Sequence, residues 1–305
     1  MSENLVAIEP KSFASYETAV REAGGVVSPI STSVKALIWT DYAQPAALAE
    51  MLSANPQLEW VQLPFAGVDA FAKLLNHPVT FTSAKGCYSE PVAEHALALC
   101  LALGRDIPTR VRATSWGKKF AVSLFDANVV IIGAGGITEQ LIGMLEPFRS
   151  HITVVRKHSS QPLSGAHQTV SFDALDAVLP KADFVICAAA LTPETAGMFD
   201  LNRFKLFKPE GYFVNIARGG HVVTDDLISA LRQGLIAGAG VDVTDPEPLP
   251  DGHALWDEPR AIITPHTADT KPMVERLFSI RIKANVRAFF AGSELAGLVD
   301  PELGY

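Results

Sequence analysis

The sequence predicts an α/β protein with two parallel-sheet domains. Its length of 305 residues suits two domains, since a single domain averages roughly 150 residues. Short apolar runs alternate along the chain with segments whose apolar residues recur at helical spacing. The alternation restarts at Asn128, where an apolar run leads into a glycine-rich turn. Alternating strands and helices are typical of parallel sheets with helices on both faces.

The first of the two domains is predicted from about the first 95 residues. Four apolar runs indicate strands, LVAI, VKALIWT, LEWVQL and VTFTS. Segments with helical spacing lie among and after them, SYETAVREAG, PAALAEMLSA and PVAEHALALCLALGR. A small Rossmann-like sheet of the flavodoxin-like type fits this pattern.

The second domain is predicted to be a complete Rossmann-like, doubly wound dinucleotide-binding sheet. Six strand candidates support it, NVVII, ITVV, ADFVICAAA, GYFVNIA, IAGAGVDV and AIITPH. A long helix, KPMVERLFSIRIKANVRAFFAG, follows them and is expected to cross back to the first domain. We therefore expect a substrate domain of residues 1–97 plus 278–305, a dinucleotide-binding domain of residues 98–277, and a ligand-binding cleft between them.

Composition argues against several kinds of partner. The net charge of −8 argues against nucleic acid and anionic membranes as partners. The first residues, MSENLVAIEP, lack a secretory signal, and no charge-free stretch reaches the length of a membrane span. The spacing of Cys87, Cys100 and Cys187 suggests neither a metal site nor disulfides. A cytoplasmic protein without a metal is expected.

A glycine turn ends the first strand of the predicted dinucleotide domain. Gly133 allows the tight turn, and Gly135 lets the backbone approach a pyrophosphate. The helix that starts at Gly136 and Ile137 offers unpaired N–H groups to the same anion. Thr138 stands where the motif has its third glycine, and it should move the helix slightly off the strand. Alone, the motif also fits an ordinary glycine-rich turn.

Three charged motifs follow later apolar strands. They hold Arg218 in NIARGGHVVTDDLISAL, Asp242 and Glu247 in VDVTDPEPL, and His266 in AIITPHTA. An Arg can grip a carboxylate, a His can transfer a proton near neutral pH, and a Glu can favour the imidazolium. Together the three types suit carbonyl reduction. Individually, they also fit a surface ion pair, a solvated loop acid and an exposed turn residue.

The remaining histidines receive no catalytic role. None of them ends an apolar strand, and His95, on an apolar helical stripe, is interpreted as a packed core residue. They are His77, His95, His151, His158, His167, His221 and His253.

In their order, NIARGG, GVDVTDPEPLP and ITPHTA make the chain resemble the D-isomer-specific 2-hydroxyacid dehydrogenase family over nearly its whole length. The resemblance implies that Arg218, Glu247 and His266 are catalytic. It also implies that Ala66 and Gly67, in LPFAGVDAF, bind the substrate carboxylate. The residues that it places at the cofactor are Thr195 in AAALTPETAG, where Ala190 replaces the usual proline, with Ala217, Arg218, Asp242 at the nicotinamide amide, and His266.

Within the family, HVVTDDL, ALWDEPRAIITPH and the closing GY most resemble glyoxylate and hydroxypyruvate reductases. Glu247 argues against a formate dehydrogenase, whose pattern has Gln there. The resemblance implies reduction of a small 2-oxo acid to the D-2-hydroxy acid by a homodimer formed largely by the nucleotide domain.

Two alternatives stay open. One is a non-catalytic NAD(H)-sensing binding protein on the same scaffold. The other is a dehydrogenase for a bulkier acid, which depends on the loops around Phe65, Cys87, Tyr88 and Trp116. Phe65 and Tyr88 could form an apolar wall for a larger substrate, or they could belong to the core.

The stretch TVVRKHSS predicts the cofactor. Arg156 stands at the strand end where NAD-binding proteins place an acid for the ribose hydroxyls. Arg156, Lys157 and Ser159, with His158 beside them, instead offer donors and positive charge to a 2′-phosphate. NADP(H) is therefore expected in preference to NAD(H), which also fits. A solvated basic loop is the alternative.

Overall fold

The computed structural model describes residues 4–301 and shows an α/β fold in two compact units. One unit runs to Tyr88 and resumes at Thr270, and the other is Ser89–Asp269. Each unit holds one sheet whose strand pairs are all parallel. The closing GY lies outside the described residues.

The strands and helices alternate as the sequence pattern predicts. The strands are β1 (Leu5–Glu9), β2 (Val26–Val27), β3 (Ala36–Trp39), β4 (Trp60–Gln62), β5 (Thr80–Thr82), β6 (Asn128–Ile132), β7 (His151–Val155), β8 (Gln168–Val170), β9 (Phe184–Cys187), β10 (Tyr212–Asn215), β11 (Gly238–Val241) and β12 (Ala261–Ile263). The helices are α1 (Ala14–Glu22), α2 (Pro45–Ala54), α3 (Ser89–Gly104), α4 (Ile107–Arg112), α5 (Gly136–Leu145), α6 (Leu175–Val178), α7 (Leu201–Phe204), α8 (Thr224–Gln233) and α9 (Lys271–Ala291).

The first unit has the strand order β2-β1-β3-β4-β5, which is the flavodoxin-like order. Every residue of β3 is buried because helices cover both faces of a parallel sheet. Helix α9 packs on α1, and its buried Asn285 donates to Gln62 Oε1 at 2.7 Å. The sequence pattern missed β2, because two residues at a sheet edge form no apolar run.

The second unit has the order β12-β11-β10-β9-β6-β7-β8. This is the strand order of dinucleotide-binding sheets with one added strand, β12, beside β11. Strand β6 lies between β7 and β9, so the strand order reverses beside β6. The sequence predicted six of these strands and missed β8, an edge strand that is only partly buried and carries polar residues.

Both unit boundaries fall at helix starts and not inside helices. The division lies before Ser89 and Thr270, whereas the sequence suggested residues 97/98 and 277/278. All of α3 belongs to the second unit, because it packs on α5, β10 and β11. All of α9 belongs to the first, because it packs on α1.

The cysteines are unpaired. Cys100 in α3 and Cys187 in β9 are buried, and burial raises the pKa of each thiol to about 12. Cys87 is half-buried and lies in a turn before α3. Among residues 4–301, no three His, Cys, Asp or Glu side chains gather as metal ligands would. No helix of that range combines the length and apolar character that a membrane span requires.

Candidate active site

The residues singled out in the second unit follow the carboxyl ends of six of its strands. In an open α/β sheet this edge, at the reversal of strand order, is where ligands bind. The residues and the strands that precede them are Gly133 after β6, Arg156 after β7, Thr195 after β9, Arg218 after β10, Asp242 after β11 and His266 after β12.

The glycine turn has the backbone that an anion-binding turn requires. Gly133 has a φ of +104°, and a Cβ there would lie 2.5 Å from the Ala188 carbonyl oxygen. Gly135 is the N-cap of α5, and a Cβ there would meet nothing within 4 Å. The open space beside Gly135 and the N–H groups of the ten-residue helix α5 fit a pyrophosphate.

Thr138 fits under the turn because its hydroxyl has a partner. The side chain is fully buried, and its Oγ1 donates to the Gly133 carbonyl at 3.0 Å. Helix α5 buries Leu141, Ile142 and Leu145 beside it. Thr138 therefore ties the start of the helix to the strand end, where a glycine would make no such bond.

Alanine should have different effects at Gly133 and Gly135, lowering stability at the first and cofactor affinity at the second. Gly133→Ala should destabilise the fold by about 2–4 kcal/mol, because the methyl group meets backbone and the φ is left-handed. Gly135→Ala should leave stability nearly unchanged but weaken dinucleotide binding roughly tenfold, since its methyl occupies the ligand's space. Urea unfolding and cofactor titration of both variants measure this. Equal stability losses would contradict it.

The end of β7 carries positive charge and no acid. Arg156 is half-buried, and its guanidinium donates to the Gln161 carbonyl at 3.3 Å. Lys157 is exposed, with its Nζ 4.0 Å from Glu194 Oε1. Ser159 follows in the same loop. The loop thus offers two cationic side chains and a hydroxyl at the position where an acid would bind ribose.

Thr195 shapes the loop after β9. Its Oγ1 accepts from the Thr192 N–H at 2.8 Å and donates to the Ala190 carbonyl at 2.8 Å. The side chain is buried, so its visible role is to hold the turn between residues 190 and 195.

Arg218 lies on a turn held by buried polar side chains. Its backbone carbonyl accepts from Asn215 Nδ2 at 2.9 Å and lies 3.0 Å from His221 Nδ1. Asn215 Oδ1 also accepts from the Ala217 N–H at 3.1 Å. The half-buried guanidinium donates to the Ala217 carbonyl at 2.7 Å. These bonds fix the Arg218 backbone, and a Cβ at Gly219 would overlap the Thr244 carbonyl.

His221 joins two loops of the site. Its Nε2 lies 3.3 Å from the Ala190 carbonyl, while Nδ1 faces Arg218. Burial lowers the pKa of His221, so the ring is neutral at pH 7 and has one N–H to donate. That one N–H can be donated to the Arg218 carbonyl from Nδ1 or to the Ala190 carbonyl from Nε2. His221 therefore contacts both the Arg218 turn and the loop after β9, although nothing in its sequence context singled it out.

The side chains of His266 and Glu247 are in direct contact at this edge. His266 Nδ1 lies 2.6 Å from Glu247 Oε1, and both side chains are partly exposed. His266 has a left-handed φ of +48°, and its N–H donates to the Asp242 carbonyl at 2.8 Å. The backbone of one strand end thus places the ring that Glu247 orients.

Asp242 lies beneath the His266 loop. Asp242 is 2% exposed, and its carboxylate accepts from Thr264 Oγ1 at 2.5 Å and from the N–H groups of Thr267 and Ala268. Burial alone would raise the pKa of Asp242, but hydrogen bonds from His95, Thr264 and the two amides lower it. The ionised carboxylate therefore shapes the loop from inside.

The sequence pattern suggested that His95 is a packed core residue. The structure shows instead that its ring makes polar contacts. The ring is half-buried, with Nε2 3.0 Å from Thr264 Oγ1 and 3.3 Å from Asp242 Oδ1. Its position on an apolar helical stripe was misleading, because that face of α3 meets the polar Asp242 as well as apolar side chains.

Asp269 adds a further charge that the sequence did not indicate. Burial raises the pKa of its carboxyl group; the charge of His266 opposes that rise, Asp242 adds to it, and Arg218 opposes it. Asp269 thus lies in the second unit where the charges of His266, Asp242 and Arg218 all reach its carboxyl group.

Ala66 and Gly67 lie in the first unit on a loop backed by aromatic rings. Phe65 packs against Tyr42 and Tyr88, with ring centroids 5.7 and 5.9 Å away. The buried Tyr88 donates to the Pro64 carbonyl at 2.7 Å. Tyr88 is therefore a core residue, and the loop rests on it.

The sheet order and the glycine turn are those of a dinucleotide-binding domain, and the charged residues at its strand ends are of the types that a dehydrogenase requires. A family model of the D-isomer specific 2-hydroxyacid dehydrogenase, NAD binding domain, matches residues 97–268. The chain belongs to the D-isomer specific 2-hydroxyacid dehydrogenase family and is an NAD(P)-dependent oxidoreductase.

Individual relatives and one solved structure resemble the chain over most or all of its length. The chain is 38% identical over 257 residues to an uncharacterized protein of Corynebacterium melassecola, covering 81% of this chain and 84% of that one. It is 31% identical over 253 residues to human glyoxylate reductase/hydroxypyruvate reductase, covering 80% and 77%. The D-isomer specific 2-hydroxyacid dehydrogenase of Xanthobacter autotrophicus Py2, solved with NADPH and MES, superposes with a TM-score of 0.84 at 26% identity over both whole chains.

Proposed function

We propose that the protein reduces a small 2-oxo acid, of the glyoxylate or hydroxypyruvate kind, to the D-2-hydroxy acid. His266 is the proton donor, Glu247 orients it and Arg218 binds the substrate carboxylate. The observation that carries this proposal is the 2.6 Å contact of His266 Nδ1 with Glu247 Oε1. It lies at the same sheet edge as the Arg218 turn.

The proton positions follow from the partners. An ionised carboxylate only accepts hydrogen bonds, so His266 Nδ1 carries a proton in both charge states of the ring. The remaining nitrogen, Nε2, is then the atom that exchanges a proton with the substrate oxygen. Glu247 stabilises the imidazolium that precedes this transfer. A bound reduced nicotinamide supplies the hydride that the keto carbon receives.

The cofactor and substrate contacts belong to the same proposal. The Ser89–Asp269 unit is the dinucleotide-binding domain, with Gly133, Gly135, Gly136 and Ile137 at the pyrophosphate. Thr195, Ala217 and Asp242 shape the nicotinamide side. In the first unit, which we assign as the substrate domain, the N–H groups of Ala66 and Gly67 are the proposed donors to the substrate carboxylate.

NADP(H) is the proposed cofactor, in preference to NAD(H). Arg156, Lys157 and Ser159 lie at or just past the end of β7, and no acid accompanies them in the stretch RKHSS. A dianionic 2′-phosphate suits such a loop, because guanidinium and ammonium groups form charge-assisted hydrogen bonds to it.

A small substrate is favoured over a bulky one. Tyr88 is buried and bonded to Pro64, so it is not available as a wall for a large side chain. The human relative is named for glyoxylate and hydroxypyruvate. Its name and the paired His266 and Glu247 also favour an enzyme over a non-catalytic NAD(H)-sensing protein.

A screen of 2-oxo acids against NADH and NADPH tests the proposal. We expect absorbance loss with glyoxylate and hydroxypyruvate, and faster loss with NADPH. No turnover with any 2-oxo acid would favour the sensing protein. Turnover only with a large branched or aromatic oxo acid would exclude the proposed substrate class.

We also propose a cytoplasmic homodimer. The three free cysteines suit a reducing compartment. Residues 105–121, here called the basic arm, expose Trp116 at 92% and Val111 at 75%. The arm carries five Lys or Arg on a chain of net charge −8, so a second copy offers it an apolar and oppositely charged surface.

Replacement of Trp116 by Glu should shift the protein from dimer to monomer in sedimentation velocity, because a charge would enter the apolar contact. Met273→Glu is the control, since Met273 is also exposed but lies on α9 of the first unit. An unchanged dimer in the Trp116 variant would exclude the basic arm as the interface.

A further inference from the structure

The unassigned His95 takes part in a closed hydrogen-bond network under the His266 loop. Asp242 Oδ1 accepts from Thr264 Oγ1 at 2.5 Å and from the Thr267 N–H at 2.9 Å, and Oδ2 accepts from the Ala268 N–H at 3.1 Å. His95 Nε2 reaches both Thr264 Oγ1 and Asp242 Oδ1. The network therefore connects helix α3 to the loop after β12.

Counting protons fixes the role of each atom. The one hydroxyl proton of Thr264 goes to Asp242, since an ionised carboxylate cannot donate. Thr264 Oγ1 is then an acceptor toward His95, and Asp242 Oδ1 is an acceptor as well. His95 Nε2 must carry a proton, which it shares between these two oxygens.

The network acts on the backbone that carries His266. The Thr267 and Ala268 amides, which come directly after His266, are held by the Asp242 side chain, and the His266 amide is held by the Asp242 carbonyl. His266 has a left-handed φ, a conformation that costs free energy unless its surroundings hold it. Of the side chains bonded to Asp242 and Thr264, His95 is the one contributed by a helix outside the β11 and β12 region.

We propose that His95 is a positioning residue, whose Nε2–H fixes the Thr264 and Asp242 side chains and thereby holds the loop that presents His266. This inference rests on the proposed function for its kinetic consequence. Its structural consequence, an ordered loop in the protein without ligands, does not depend on any activity.

The kinetic test compares two replacements. His95→Leu removes the donor and keeps an apolar side chain of similar bulk, whereas His95→Gln keeps an N–H near the position of Nε2. We expect Leu to lower kcat by about 10–100-fold with little change in KM for NADPH, since misplacement of a catalytic group acts on the chemical step. The His95→Gln variant should have a kcat within a few-fold of the wild-type value. Glu94→Gln, exposed on the same helix, is the control.

The structural test is independent of turnover. Hydrogen exchange of the Thr267 and Ala268 amides should speed up at least tenfold in His95→Leu and return toward the wild-type rate in His95→Gln. The ring ¹⁵N shifts of wild-type His95 should show a protonated Nε2. If His95→Leu does not fold, Thr264→Val replaces it, with the same expected changes.

Failure of the proposed function and failure of the positioning role of His95 give different results. A wild-type protein that reduces no 2-oxo acid overturns the proposed function, while amide exchange and the ring shifts still test His95. Unchanged exchange in the Leu variant, an unprotonated Nε2, or equal kcat in the Leu and wild-type proteins would overturn the positioning role.

Discussion

Replacement of His266 by Ala should lower kcat about 1000-fold, within the range that general acid catalysis supplies. The alanine variant has no group to protonate the substrate oxygen, and Glu247 loses the ring that it contacts at 2.6 Å. Steady-state reduction of hydroxypyruvate measures the loss.

Two controls separate chemistry from binding. Fluorescence titration should show that His266→Ala binds NADPH almost as well as the wild type, because the glycine turn and the end of β7 are unchanged. The kcat of Glu247→Gln should lie between those of the wild type and His266→Ala, since the amide oxygen still accepts from Nδ1 but carries no charge. Near-normal turnover in His266→Ala would refute its role as proton donor.

Replacement of Arg156 by Asp should weaken NADPH binding about 10–100-fold and leave NADH binding nearly unchanged. A charge-assisted hydrogen bond contributes about 1.5–3 kcal/mol, and the introduced carboxylate would also repel a 2′-phosphate. Titration with each cofactor gives the ratio of the two dissociation constants.

The matched control for Arg156→Asp is Lys181→Asp. It makes the same change in net charge at an exposed position before β9, at the opposite ends of the strands. Both cofactors should bind that variant normally. Equal losses of NADPH and NADH affinity in Arg156→Asp would exclude Arg156 as a contact of the 2′-phosphate.

Much of the fold could be predicted from the sequence because buried parallel strands are apolar on both faces. The runs before Gly133 and Arg218 are of this kind, and each of them is a buried strand of the second sheet. Of the edge strands, β2 and β8 were missed because β2 has only two residues and β8 contains the polar residues Gln168 and Thr169. The boundaries expected from the sequence differ by eight or nine residues from those of the two units, because the sequence did not show which sheet each long helix covers.

Candidate site residues could be selected from the sequence where a residue type suited to catalysis follows an apolar run. Arg218, Glu247 and His266 meet that condition. His95 and His221 do not, because their contacts are with residues distant in sequence, Thr264 and Ala190. Thr138 shows the same limit, since only the fold reveals that its hydroxyl reaches the Gly133 carbonyl.

The configuration of the product tests the central claim most directly. The protein is incubated with hydroxypyruvate and NADPH deuterated at the transferable position, and the glycerate is analysed by chiral chromatography and NMR. We expect D-glycerate with deuterium at C2. L-glycerate, a racemic product, or a product without deuterium at C2 would contradict reduction by the proposed arrangement of Arg218, Glu247 and His266.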